Sequence, residues 1–268
     1  MAEVSIIGLG FVGGAMYKSY TEKGINVYGY DKYKDGGTGN IETCLNSKIV
    51  FLCLPTLYNE ELCSYDKSAL NEVLTYFNSK TYKGIVVIKS TVEPQTTKTL
   101  SEKYNKLSIV HNPEFLTART AYHDFHNQKH IVLGKGLYAT QKDIDTLEIF
   151  YKKYYQDAEI TNCSSDESEC MKTFVNSFYA SKIQLFNEFY LTCKHIGVDY
   201  NNVKHLMLKN KWINPRHTNV PGPDGKLSYG GACFPKDTKA LLSMMKKNNI
   251  PCNVLEGVVA GRDAMRKD

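Results

Sequence analysis

The chain has 268 residues, a net charge of +5, 42% hydrophobic and 23% charged residues, enough for one large domain or two unequal ones with a real core. No apolar run reaches about 18 residues and no dense Lys/Arg block occurs, so neither a membrane span nor a nucleic-acid surface is expected, while the mild positive charge suits phosphate-bearing ligands. The start, "MAEVSIIGLG", reads straight into a strand rather than a signal peptide. The eight cysteines are scattered with no C-x-x-C pair, so the thiols are expected to be reduced in a cytoplasmic setting, without a disulfide framework or a metal site.

In chain order, strands are expected at 4–8, 25–30, 48–54, 84–89, 107–110, 130–134 and 158–161, with helices at 12–23, 67–79, 94–104 and 140–155. Several of these strands are apolar almost throughout, as in a sheet buried on both faces. Strand–helix alternation predicts an α/β fold, a doubly wound parallel sheet of the Rossmann type. After Cys163 the pattern changes. Ser164 with Glu167 three residues later is a capping signal. Met171, Phe174, Val175, Phe178, Phe186, Phe189 and Cys193 then recur near helical spacing, and Gly197 is a natural stop. One long helix follows, the spine of a smaller helical domain. A loop is expected over 213–231 and helical material from Asp237, interrupted at Pro251. The expected domains are 1–162, binding a dinucleotide, and 163–268.

Gly8-Leu9-Gly10-Phe11-Val12-Gly13 is G-x-G-x-x-G, placed after a strand and opening a helix. Asp31 ends the second strand. That context is the dinucleotide fingerprint. Gly8 makes the turn, Gly10 admits the pyrophosphate, and Gly13 allows helix–strand packing. The helix amino end supplies positive potential to phosphate. Asp31 would accept from the ribose hydroxyls and repel a 2′-phosphate, which favours NAD over NADP; Lys32 beside it is a second cofactor candidate. Thr56 in "LCLPT" and Thr91 in "IKSTV" end their strands at the ligand edge.

In "GGACFPKDT", Cys233 follows Gly230 and Gly231 and precedes Lys236 and Asp237. It could be a structural thiol, a metal ligand or a nucleophile. On the long helix, Lys172 and Asn176 are spaced i, i+4 and share one face, so a cation and an amide could aim at one oxyanion. Cys53 and Cys193 sit on apolar stripes and are expected in the core.

The fingerprint, "LPT", "KSTV", "NPEFL" (112–116), Lys172-x-x-x-Asn176 and "GGACFPKDT", in this order, resemble the UDP-glucose/GDP-mannose dehydrogenase family. The resemblance covers nearly the whole chain. It implies a four-electron oxidation of a sugar's primary alcohol to a carboxylate, with two NAD used and a thioester on the cysteine. Matched residue by residue, Cys233 would be the nucleophile, Lys172 and Asn176 the oxyanion donors, and Asp237 and Thr91 helpers in proton movement. Glu114 would assist thioester hydrolysis, and Lys236 would lie near the cofactor. Glu114, Phe115 and Leu116, together with Lys172, Asn176, Gly230 and Gly231, would line the substrate.

Members often carry a second acid four residues after that glutamate; Ala118, followed by Arg119, stands there in this chain. Typical members also continue into a further domain over the nucleotide, and this chain is expected to be a short form without it. The pocket would then be closed either by the segment 214–231, with Arg216, His217 and Lys226 toward phosphate and Tyr229 for stacking, or by a partner subunit. Family members pair through the long helix, so a homodimer is expected. UDP-glucose is the expected substrate. UDP-N-acetylhexosamine, GDP-mannose and a non-catalytic NAD-binding remnant are the alternatives.

Overall fold

Each central strand of this chain buries both of its faces, and that sets a layered architecture. The computed structural model describes residues 2–268. They form two compact units: the chain to Leu57 with Tyr65–Lys172, and Tyr58–Ser64 with Thr173–Asp268. Among the described residues no helix is long and apolar enough to cross a membrane.

The chain runs β1 (Val4–Ile7), α1 (Phe11–Glu22), β2 (Val27–Tyr30), α2 (Ile41–Cys44), β3 (Ile49–Leu52), the short strands β4 (Tyr58–Asn59) and β5 (Ser64–Tyr65), and α3 (Ser68–Ser79). Then come β6 (Ile85–Ile88), α4 (Thr96–Lys103), β7 (Ser108–His111), α5 (Ala121–His126), β8 (His130–Lys135), α6 (Gln141–Tyr154) and β9 (Glu159–Ser164). The seven-stranded sheet of the first unit has the order β2-β1-β3-β6-β7-β8-β9. Five strands are parallel, as expected. β8 runs antiparallel to β7, and β9 parallel to β8. The connection from β7, which carries α5, begins and ends at the same edge of the sheet, so β8 runs back beside β7.

Side-chain alternation splits the strands between two cores. Val4, Ile6, Phe51, Val87 and Val110 face one core, which Met16, Tyr20, Phe125 and Phe150 complete from α1, α5 and α6. Ile7, Val50, Leu52, Val86 and Ile88 face the other, closed by Leu70, Phe77 and Leu100. Tyr20 packs edge-on to Phe51, Phe125 and Phe150, with ring centroids 5.6–5.8 Å apart.

The second unit is built on the long helix α7 (Ser165–Ile196), which starts in the first unit. Its start has the expected capping box: Ser164 N donates to Glu167 Oε2 (2.8 Å), and Glu167 N to Ser164 Oγ (3.2 Å). Gly197, at φ +75°, follows the end. A helix α8 (Tyr200–Leu208) comes next, capped by Asp199; the sequence reading left it unassigned. α9 (Phe234–Lys247) and α10 (Asn253–Met265) bracket Pro251. The 213–231 segment is pinned to α7 and α8 rather than loose. Ser228 N donates to Asn187 Oδ1 (2.9 Å), Ser228 Oγ to Gln184 Oε1 (2.5 Å), and Tyr200 OH to Thr218 O (2.6 Å). The β4–β5 hairpin is tied to α9: Tyr58 OH lies 2.7 Å from Ser243 Oγ, and Lys247 Nζ donates to Leu62 O (2.9 Å).

Candidate functional site

The glycine turn after β1 is shaped by sterics. Gly8 has φ +89°, and a Cβ there would lie 2.4 Å from Cys53 O. A Cβ on Gly13 would lie 1.8 Å from Gly8 O, so helix and strand meet only because both are glycine. Gly10 has nothing within 4 Å of its Cβ position. No side chain caps α1 and its first turn holds no acid. This cradle fits a dinucleotide pyrophosphate. Phe11 is exposed at the first helical position, whereas Val12 packs into the core. The Val12 side chain therefore supports the turn from behind.

Asp31 closes the turn. Its Oδ2 accepts from Leu9 N (2.7 Å), and its Oδ1 from Tyr33 N and Lys34 N (2.9 Å each). Partial burial works against its charge. The backbone donors of Lys34, Tyr33 and Leu9, with the Lys34 cation, outweigh that and hold its carboxyl below the usual range. Lys34, which the sequence reading passed over, donates to Leu9 O (2.9 Å). Lys32 turns away to donate to Glu72 Oε1 (2.7 Å). In this structure it is one half of an exposed ion pair.

The loops after β3 and β6 are stitched together. Thr56 Oγ1 donates to Thr91 O (2.7 Å), and Ser90 Oγ accepts from Leu54 N (3.0 Å) and donates to Leu54 O (2.7 Å). Ser90 was missed because a serine beside a strand end carries no signal of its own. Cys53 belongs to the core expected of it, and burial pushes its thiol up to about 12.

After β7 the "NPEFL" corner brings charged groups together. Glu114 Oε2 accepts from Leu116 N (2.5 Å). Lys172 Nζ donates to Glu114 O (2.5 Å) and lies 3.4 Å from Glu114 Oε1, both side chains being largely buried. Lys172 Nζ also sits 5.3 Å over the Phe115 ring, which stacks on His130 at 5.8 Å. Leu116 packs against the core. The side chain of Ala118 lies outside the described residues.

In the helical unit, Cys233 is exposed and caps α9, with Pro235 in the first turn. Asp237, one turn on, is fully buried. It accepts from Asn176 Nδ2 (2.6 Å) and from Lys236 Nζ (2.6 Å). Gly231 has φ +79° and open space at its Cβ position. Gly230 does not: a Cβ there would lie 2.3 Å from Arg266 Nη2. Its missing side chain makes room for Arg266. Arg266 in turn donates to Asp224 Oδ2 (2.7 Å) and to Asp268. Tyr229 is buried, its hydroxyl 3.4 Å from Thr238 Oγ1, so it is packing rather than a stacking platform. Lys226 pairs with Asp268. Arg216 is exposed. His217, at φ +68°, packs on Tyr179 (4.9 Å) and Phe234 (5.8 Å). Burial, and then the Arg216 and Lys182 cations, lower its pKa.

A parallel sheet with a glycine turn, an acid at the end of β2 and a free helix amino end defines a dinucleotide-binding protein of the dehydrogenase type. Residues 35–155 match the NAD binding domain, and residues 166–261 the central domain, of the UDP-glucose/GDP-mannose dehydrogenase family. The chain belongs to that family, and NAD is the cofactor of its first domain. It is 30% identical over 233 residues to a UDP-glucose 6-dehydrogenase of Campylobacter jejuni, covering 86% of this chain and 56% of that protein. It is 32% identical over 226 residues to one from Rickettsia bellii, covering 81% and 50%. The chain thus spans about half the length of these relatives. A solved UDP-glucose dehydrogenase from Pyrobaculum islandicum superposes with a TM-score of 0.86 at 25% identity, covering 98% of this chain and 68% of that one. A UDP-D-ManNAc dehydrogenase from Pyrococcus horikoshii gives 0.80 at 19% identity, covering 98% and 68%, which speaks to the fold.

Proposed function

We propose that this protein oxidises the primary alcohol of a nucleotide sugar to the acid in two NAD-dependent steps, with UDP-glucose as the first substrate and Cys233 as the covalent nucleophile. One observation carries the reading: an exposed thiol at the amino end of α9, one turn before a buried carboxylate held by an amide and an ammonium group. A helix amino end favours a sulfur anion.

NAD, when bound, supplies the hydride acceptor for both oxidations. The first hydride loss turns the alcohol into an aldehyde. Cys233 sulfur then adds to the aldehyde carbon, and the carbonyl oxygen takes up a proton, giving a hemithioacetal. Loss of a second hydride from that carbon leaves a thioester on Cys233. Water breaks the carbon–sulfur bond, releasing the acid and returning the thiol. One alcohol, one water and two NAD+ thus give one acid, two NADH and two protons.

Asp237 supports proton movement beside the sulfur, with Lys236 and Asn176 holding its position. Lys172 and Asn176 each keep a further N–H beyond the bonds above, and each is proposed to donate it to the developing oxyanion. Glu114 is proposed to orient the hydrolytic water, and Thr91 to hold a water for the first oxidation. Functionally, NAD binding is assigned to 1–162, and pairing and covalent chemistry to 163–268. Arg216 and His217 are the proposed phosphate contacts of the helical domain.

The exposed Phe174, Phe178 and Leu185 of α7 support a homodimer through this helix. So does a groove of about 470 Å³ lined by Phe174, Phe178, Leu241, Met245 and Val254. The unbridged cysteines support a reducing, cytoplasmic setting. NADH release from a panel of UDP-glucose, UDP-N-acetylhexosamines and GDP-mannose tests the function. UDP-glucose should give the highest kcat/KM, and NAD binding without turnover on any of them would contradict it.

A further inference from the structure

Lys89 lies just past β6 and is only 2% exposed. Its Nζ donates to Asn112 Oδ1 (3.0 Å) and Pro113 O (3.3 Å). Among the described residues no carboxylate pairs with it directly. Tyr151 OH, from α6, donates to the same Asn112 oxygen (2.5 Å). Asn112 Nδ2 donates to Val132 O of β8 (2.7 Å), and Asn112 N to Ile88 O of β6 (2.9 Å). The asparagine is therefore fixed from two strands and a helix. The next carbonyl, Pro113 O, rests on Lys89, and the one after it, Glu114 O, rests on Lys172. Two buried ammonium groups grip consecutive carbonyls at the residue that bears the carboxylate.

A buried ammonium group is costly, and an apolar residue of similar size would avoid that cost. What the ammonium provides is a direction. Two of its N–H groups join the Asn112 side chain to the Pro113 carbonyl and so set the angle at which the chain leaves β7. We propose that Lys89 is a positioning residue of this protein, acting through Asn112 and the Pro113 carbonyl to hold the corner that presents Glu114. This inference rests on the proposed reaction for its functional meaning. Burial pulls Lys89 down to about 8; Cys53 and Glu114 oppose that and Lys172 adds to it. Lys89 is thus still charged at neutral pH. His111 on β7 feels both lysines, and burial first and then their charges lower it to about 3, so it adds no third cation.

The test uses the full chain with Lys89→Met, and Ile144→Val on α6 as a stability control. In Lys89→Met, kcat on the nucleotide sugar should fall on the order of 10- to 100-fold, with the KM for NAD unchanged. Thermal stability should be no lower than in the control. Hydrogen exchange at the Leu116 amide, which is bonded to Glu114, should quicken about tenfold relative to the control. Should Lys89→Met fail to fold, Lys89→Gln keeps a donor without the charge and should move both readouts the same way. A wild-type exchange rate at Leu116, or a wild-type kcat, in a folded variant overturns the proposal. If the unsubstituted chain oxidises no nucleotide sugar, the reaction reading fails, and the exchange measurement alone decides the role of Lys89.

Discussion

The two units hold their candidate groups by different means. In the sheet unit many of the anchors are main-chain atoms, beside side-chain bonds such as Lys172–Glu114 and Lys89–Asn112. Asp31 accepts from three backbone amides, Thr56 donates to the Thr91 carbonyl, and Lys89 and Lys172 rest on the carbonyls of Pro113 and Glu114. In the helical unit, side chains hold side chains: Asn176 and Lys236 both donate to Asp237. Backbone anchors follow from strand ends and turns, so they survive many substitutions nearby. A side-chain cluster fails when one member is lost, because the partners are left buried without their bonds. Positional stability belongs to the first unit and chemical sensitivity to the second.

The largest expected effect lies in the second unit. Cys233→Ser should lower acid formation by about a thousandfold or more while leaving NAD binding intact, measured as NADH release and as NAD titration. Asp237→Asn should follow, with kcat down on the order of a hundredfold, since the cluster loses the charge that holds Lys236. NAD binding, proposed for the sheet unit, should not change; if it weakened in parallel, the proposed division of labour would be wrong.

The pH dependence of stability should come from the sheet unit. His111 drops from 6.5 to about 3 on folding, so the unfolded chain binds the extra proton, and stability is lost as pH falls from about 6.5 toward 3. Glu169 is buried, with Oε1 accepting from Thr97 N (2.8 Å), and burial raises it from 4.5 to about 7. The folded chain binds the extra proton there, so stability falls as pH rises from about 4.5 to 7. Glu169→Gln should remove that second slope and raise stability above pH 7 by about 2–3 kcal/mol, read by urea unfolding across pH 4–8. The smallest effect is expected at Lys32. Lys32→Ala should leave both the thermal midpoint and the KM for NAD unchanged, because its ion pair with Glu72 is solvent-exposed. A rise in the KM for NAD would return Lys32 to the cofactor.

Much of the sheet unit was legible in the sequence, since each of its signals is local. Gly8 and Gly13 are forced by close backbone approach, and Ser164 with Glu167 caps α7 as read. The reversal at β8 was not legible, because a strand's direction depends on where its connection runs, not on its own residues. α8 was missed because nine residues carry little periodicity. Gly230 shows a different limit. Next to a candidate nucleophile it reads as room for substrate, yet the space is taken by Arg266, thirty-six positions away, and no local pattern reports that. Tyr229 lies beside Thr238 and Lys226 pairs with Asp268, and neither partner is reported by the residues next to them. Lys89 was passed over because a lysine at a strand end ordinarily reaches solvent.

The most direct test of the central claim is the NADH yield per molecule of UDP-glucose consumed by the intact chain under single-substrate exhaustion. Two NADH per sugar, with UDP-glucuronic acid as the product, is the result predicted by a covalent path through Cys233. One NADH per sugar with release of the aldehyde, or two in a Cys233→Ser variant at full rate, would contradict it.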